Sequence, residues 1–107
     1  MNRPVHIAVV QPPAVGEGVS HKQMIDAAVA LVAEAGTTGA DIVCLPEGMT
    51  VIGTGLDYGQ SAQPIPGPAT ERLGAAAKRN GLWVVACFNE VDGPRLYNTA
   101  VLLDRDG

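Results

Sequence analysis

Aromatic side chains are scarce in this 107-residue chain: Phe88, Trp83, Tyr58 and Tyr97 are the full set. Any core must therefore be filled mostly by Ala, Val and Leu, which suits close packing of helices on a sheet. Long hydrophobic runs are also missing, and none approaches the ~20 residues that span a bilayer. The N-terminal apolar run, Val5 to Val10, is interrupted by His6 and ends at Gln11-Pro12-Pro13 without a small-residue cleavage pattern, so it does not read as a signal peptide. The expected location is cytoplasmic, with no membrane partner. Basic residues do not cluster and the net charge is −4, which leaves a nucleic-acid binder without its electrostatic footprint. The only cysteines, Cys44 and Cys87, sit singly inside apolar runs. They form neither a disulfide framework nor a Cys-x-x-Cys metal pair, and read as buried reduced thiols on strands.

What is present is an alternation of β-branched runs and amphipathic segments. Val5 to Val10 reads as a buried strand bounded by turn residues. Ser20 and Gln23 have the spacing of a capping box, and Val19 and Met24 that of a hydrophobic staple. Met24, Ala28, Leu31 and Ala35 then recur on one helical face, flanked by Ile25 and Val32, until Gly36 and Gly39 end the helix. Ile42 to Leu45 is a second apolar strand stopped by Pro46. Strand, helix, strand is a βαβ unit, whose strands run parallel with a right-handed crossover. Neither strand alternates polar with apolar residues, as expected for a sheet covered on both faces.

Residues 46–66 show no periodicity, and a structureless stretch of that length is uncommon in a compact domain and often functional. A plain surface loop is the alternative. Gly67-Pro68 opens a second helix with Glu71 in its first turn, Lys78 and Arg79 in its last, and Gly81 closing it. Leu82 to Phe88 reads as a third strand, Asp92-Gly93-Pro94 as a turn, and Leu96 to Leu103 as a fourth strand antiparallel to the third. The chain finishes on Asp104-Arg105-Asp106-Gly107, a turn signal with no returning strand, so the pattern is that of a domain cut at a hairpin.

Glu47 is the leading candidate for chemistry. It follows a buried strand, at the carboxyl edge where open α/β sheets bind ligands. A carboxylate half enclosed there would be desolvated, its pKa raised towards that of a general base. On position alone, a solvated loop glutamate is the commoner reading. Glu90, beside Asp92 before a turn, reads as a solvated strand end. His6 and His21 read as a strand-end and a first-turn helix residue, and neither belongs to a metal-ligand spacing. No metal is expected.

Four segments together resemble the nitrilase superfamily of carbon–nitrogen hydrolases. Ile7 to Pro12 (IAVVQP) is similar to that family's first strand and turn, and the strand leading to Leu45-Pro46-Glu47 to its catalytic-glutamate segment. Ile65-Pro66-Gly67-Pro68 with the following helix, and Tyr97-Asn98-Thr99-Ala100 with its strand, match in order and spacing. The resemblance implies an α/β fold: residues 1–107 as the N-terminal part of a four-layer α-β-β-α sandwich, a mixed sheet with helices packed on it. It implies hydrolysis of a non-peptide carbon–nitrogen bond in a small amide, nitrile or carbamoyl compound, without a cofactor. A glutamate, a lysine and a cysteine do the chemistry. Only the glutamate carries over, onto Glu47. In the family the lysine follows a turn like the one at Gly107, and the cysteine follows a later strand. Lys22 and Lys78 lie on helix positions that read as solvent-facing, and Cys44 and Cys87 do not match the nucleophile. The chain alone is therefore expected to be inactive. Asn98 matches a position that braces the site through hydrogen bonds, and Tyr58 is a candidate to line the substrate pocket or, equally, a loop tyrosine packing locally. Family members commonly form homo-oligomers. Two alternatives stand beside this one: a non-catalytic α/β binding or regulatory module, which would lack a glycine-rich phosphate loop after the first strand, and an inactive truncated copy.

Overall fold

The computed structural model describes residues 2–12 and 16–107. The loop residues Pro13 to Val15, part of the turn read after the first strand, lie outside them. Elements follow in the order β1 (Ile7–Val9), α1 (His21–Thr37), β2 (Ile42–Cys44), α2 (Tyr58–Ser61), α3 (Pro68–Asn80), β3 (Trp83–Asp92) and β4 (Arg95–Leu103). The four strands form one sheet in that order, the first three parallel and β4 antiparallel to β3. Ile7, Ile42 and Trp83 share one register row, and Val9, Cys44 and Val85 another.

Local chemistry sets the helix ends. The Ser20 hydroxyl accepts from Gln23 N–H (3.1 Å) while the Gln23 side chain accepts from Ser20 N–H (2.8 Å), the reciprocal box expected from their spacing. The helix passes through Gly36 and stops at Thr37, one residue later than the first glycine suggests. Gly36 stays helical because a neighbour fits against it: a β-carbon there would lie 3.1–3.2 Å from Asn80 and Leu82. α3 starts at Pro68, carries Glu71 in its first turn and Lys78 and Arg79 in its last, and ends on Gly81 at φ 66°. The β3–β4 hairpin closes through Gly93-Pro94, pairing Asp92 with Arg95.

α1 and α3 pack on each other and on one face of the sheet. Val32, Leu73, Ala76, Ala77 and Leu82 are wholly buried there with Val43, Val84 and Ala86 from the strands, while Ala8, Val101 and Leu103 pack at the margin. Successive strand side chains point to opposite faces, so Ile7, Val9, Cys44, Val85, Cys87, Ala100 and Leu102 belong to the other face. Among the described residues no second layer covers that face: Val9 is 80% exposed and Leu102 59%. The expectation of strands covered on both faces is thus corrected. Both long helices lie on one side, and the thinnest extent of 19 Å is about one helix layer on one sheet.

The region 46–66 is also more ordered than its composition suggests. Asp57 and Gln60 form a second capping box (2.7 and 3.0 Å) that starts α2, and Gln63 makes a parallel bridge to Glu90 on β3. Gln63 further ties the helix starts together. Its Nε2 donates to His21 Nδ1 (3.0 Å) and its Oε1 accepts from Ala69 N–H (3.0 Å). Burial lowers the His21 pKa, which favours the neutral imidazole that this contact requires.

At the amino edge of the sheet, Asp41 gathers several donors. It takes both guanidinium nitrogens of Arg3 (2.8 and 3.0 Å), the His6 backbone N–H (2.9 Å) and Arg105 (3.4 Å). Arg105 also donates to the Gly81 carbonyl at 2.9 Å. These contacts join the N-terminal segment, β2 and the turn after β4. The Arg3 hydrogen bonds and the His6 N–H hold the Asp41 carboxyl far below the usual carboxylate range.

Candidate catalytic glutamate site

Pairing continues just past β2: Leu45 N–H donates to the Val85 carbonyl at 2.9 Å. Pro46 has no N–H to carry the ladder further, and the chain turns at Glu47. Gly48 takes φ 64°, and a β-carbon there would sit 3.3 Å from Ile52, so both backbone and space favour glycine. Its carbonyl then accepts from Val51 and Ile52 N–H, each at 2.9 Å. Leu45, Met49 and Thr50 are buried on either side. Glu47 is therefore the exposed shoulder of a turn anchored at both ends. The half-enclosed carboxylate expected from position is not found, because no layer covers this face of the sheet.

One side chain reaches that carboxylate across the sheet. Asn98, on β4, donates from Nδ2 to Glu47 Oε1 at 2.6 Å. Its Oδ1 accepts from the Cys87 thiol on β3 at 3.0 Å. The hairpin register places Cys87 opposite Ala100 and Asn89 opposite Asn98, so Cys87 and Asn98 are diagonal neighbours. Two of the expected site residues, Glu47 and Asn98, are thus brought into contact although 51 positions separate them.

Tyr58 is not gathered with them. It begins α2, is 64% exposed, and makes no hydrogen bond to Glu47 or Asn98 among the described residues. Lys22 pairs with Asp26 on α1 and its side chain is 79% exposed; Lys78 is exposed on α3. The cysteines are free and half-buried rather than buried, since both point to the open face. Glu90 is not a solvated strand end: it is half-buried and accepts from the Thr99 hydroxyl at 2.7 Å. A cavity of about 470 Å³ lies elsewhere, lined by Met24, Leu31, Pro46, Met49 and Ile52, and neither Glu47, Asn98 nor Tyr58 lines it. Among the described residues, no three of His, Cys, Asp and Glu gather as a metal site, and no helix is long and apolar enough to cross a membrane.

The Cys87 link was within reach of the sequence. A two-residue turn at Gly93-Pro94 fixes the hairpin register, and that register sets Cys87 beside Asn98. The α2 start had a signal too, in the Asp57–Gln60 spacing.

The sequence pattern described as carbon–nitrogen hydrolase matches residues 6–107. The chain belongs to that family. Among curated proteins, this carbon–nitrogen hydrolase chain is 40% identical to the omega-amidase NIT2 of Danio rerio over 79 residues, covering 72% of the chain and 28% of the relative. It is 36% identical to omega-amidase NIT2 of Xenopus tropicalis over 84 residues, 78% of the chain and 30% of the relative. The chain thus spans less than a third of the length of these relatives. Among solved structures, the carbon–nitrogen hydrolase of Xanthomonas campestris with an arsenic adduct in its active site superposes with a TM-score of 0.74 at 21% identity, over 95% of this chain and 37% of that one. An amidase of the nitrilase superfamily from Nesterenkonia, solved as a cysteine-to-serine mutant, gives 0.70 at 27% identity over 96% and 40%. The fold is the α/β fold of the carbon–nitrogen hydrolase family.

Proposed function

We propose that this chain supplies the general-base segment of an enzyme that hydrolyses a non-peptide carbon–nitrogen bond in a small-molecule amide, nitrile or carbamoyl compound. Glu47 is the base. It takes the proton from a cysteine thiol, the thiolate attacks the substrate carbon, and Glu47 passes that proton to the departing amide nitrogen, which leaves as ammonia. The carboxylate then activates the water that releases the acid from the acyl-enzyme. A lysine offsets the charge that builds on the substrate oxygen or nitrogen at the tetrahedral stage. Neither Lys22 nor Lys78 is placed for that, and the Cys87 thiol donates its hydrogen bond to Asn98, so the present residues provide the base alone. We assign the nucleophile and the lysine to the part of the family domain that lies beyond the segment this chain covers. The uncovered apolar face is where a second sheet would complete an α-β-β-α sandwich and enclose the carboxylate.

The observation that carries the reading is the 2.6 Å hydrogen bond from Asn98 to Glu47 at the carboxyl end of β2. It holds a carboxylate over the open face of the sheet, which supports its assignment as the base for a thiol supplied by the rest of the domain. An amide substrate is the first class to try, since the curated relatives are omega-amidases. The test is ammonia release from primary amides, then nitriles and carbamoyl compounds, by a polypeptide in which this chain is continued by the remaining part of the family domain. Turnover in any class supports the reading. A folded protein of that length that releases no ammonia from all three overturns it.

A further inference from the structure

We propose that Cys87 is a positioning residue for Glu47, acting through Asn98, which rests on the reading of Glu47 as the base. An ionised carboxylate only accepts hydrogen bonds, whereas a carboxamide has a donating end and an accepting end. Asn98 serves Glu47 only with Nδ2 turned towards it. Rotated by half a turn, the amide would set Oδ1 against Glu47 Oε1 at about the present 2.6 Å, oxygen lone pair to oxygen lone pair. Nothing in asparagine itself selects one orientation. The Glu47 carboxylate selects it from one end, and the Cys87 thiol reinforces that choice from the other, because its S–H donates to Oδ1 at 3.0 Å. A thiol S–H is a weak donor and its sulfur a weak acceptor, so the thiol adds a small preference to the one the carboxylate sets, and both ends of the amide call for the same orientation.

The thiol itself has a firm footing. Ala86 and Phe88, its neighbours on β3, are buried in the helix-facing core, and Cys87 is paired with Ala100 in the middle of the hairpin ladder. Sulfur, amide and carboxylate thus form a hydrogen-bonded chain in which Asn98 on β4 reaches back over β3 to the turn after β2. Cys87 acts as an orienting group: its S–H donates to Asn98 and not to Glu47.

The experiment uses the 107-residue chain and needs no turnover. Nuclear Overhauser contacts from the Asn98 side-chain N–H protons to the Glu47 methylenes report which end of the amide faces the carboxylate. We expect them in the native chain and in Cys87→Ser, which keeps a donor, and expect them weakened in Cys87→Ala, where loss of one hydrogen bond lowers the ratio of the two amide orientations by about 2- to 10-fold. Equal contacts in the native chain and Cys87→Ala would overturn the proposal, as would their loss in a folded Cys87→Ser. Should Cys87→Ala not fold, Asn98→Ala serves instead. Iodoacetamide should then modify Cys87, mapped apart from Cys44 by peptide mass, about 2- to 10-fold faster than in the native chain once its hydrogen bond is gone; an unchanged rate would show that the thiol is not engaged. In the extended hydrolase, Cys87→Ala should lower kcat with KM unchanged and Cys87→Ser should restore it. An extended protein with no turnover even without the substitution would count against the hydrolase reading, while the contacts measured in the chain would still decide the role of Cys87.

Discussion

Two leucines, truncated in the same way, separate the covered face of the sheet from the open one. Leu73 on α3 is fully buried, whereas Leu102 on β4 is 59% exposed. Cutting either to alanine removes about three methylene equivalents, worth ~0.8 kcal/mol each when fully buried. At Leu73 that loss of about 2.4 kcal/mol is joined by a cavity among Val32, Ala76, Ala77 and Val84, for a total of about 3–5 kcal/mol. At Leu102 less than half of the side chain leaves water on folding and no cavity forms, so about 1 kcal/mol or less is expected. A chain of this length has a stability of roughly 5–15 kcal/mol, so Leu73→Ala removes a large fraction of it. Urea unfolding followed by the fluorescence of the single tryptophan, Trp83, and by far-ultraviolet circular dichroism measures both variants. The runs should be repeated at several protein concentrations. Equal losses at the two leucines would refute the assignment of an open face. A Leu102→Ala loss that grows with protein concentration would place a second copy of the chain on it.

Other outcomes follow from single contacts. Stability should fall with acid in two stages. His21, whose pKa is lowered in the fold, gives a contribution that is present above its ordinary value of 6.5 and lost as pH drops below it. Asp41, also lowered, gives one that is present above 3.8 and lost as pH falls further. Urea midpoints across pH should show both stages, and Asp41→Asn should flatten the lower one; an unaltered acid limb in that variant would remove the clamp from the account. Gly67→Ala should destabilise by about 1–3 kcal/mol, because a β-carbon there would lie 2.2 Å from the Pro64 carbonyl oxygen, too close for any side chain. A thermal melt within a degree of the native one would mean that the loop before α3 relaxes freely.

The sequence carried the element order well because its signals were local. Ser20 with Gln23, Pro68 with Gly81, and Gly93-Pro94 each determine a helix end or a turn through contacts within a few residues. It was less informative where contacts span the chain. No local pattern announces that Asp41 will meet Arg3 and Arg105, or that Gln63 will join the starts of α1 and α3. The strands β1 and β2 read as covered on both faces because Ile7, Val9, Ile42 and Cys44 are apolar, yet in this chain those side chains face outwards. The same absence of a second layer explains why Glu47 emerges exposed, and why Asn98 was legible as a bracing residue only through its family resemblance.

The most direct measurement is the turnover of Glu47→Gln in the extended hydrolase. Glutamine keeps an oxygen for the Asn98 N–H to donate to, so the turn and the fold stay as they are, while the proton acceptor is gone. General-base catalysis contributes about 10²- to 10⁴-fold, and ammonia release should drop by that factor with the urea midpoint unmoved. A Glu47→Gln enzyme that works within a fewfold of the native rate would contradict the role given to this carboxylate.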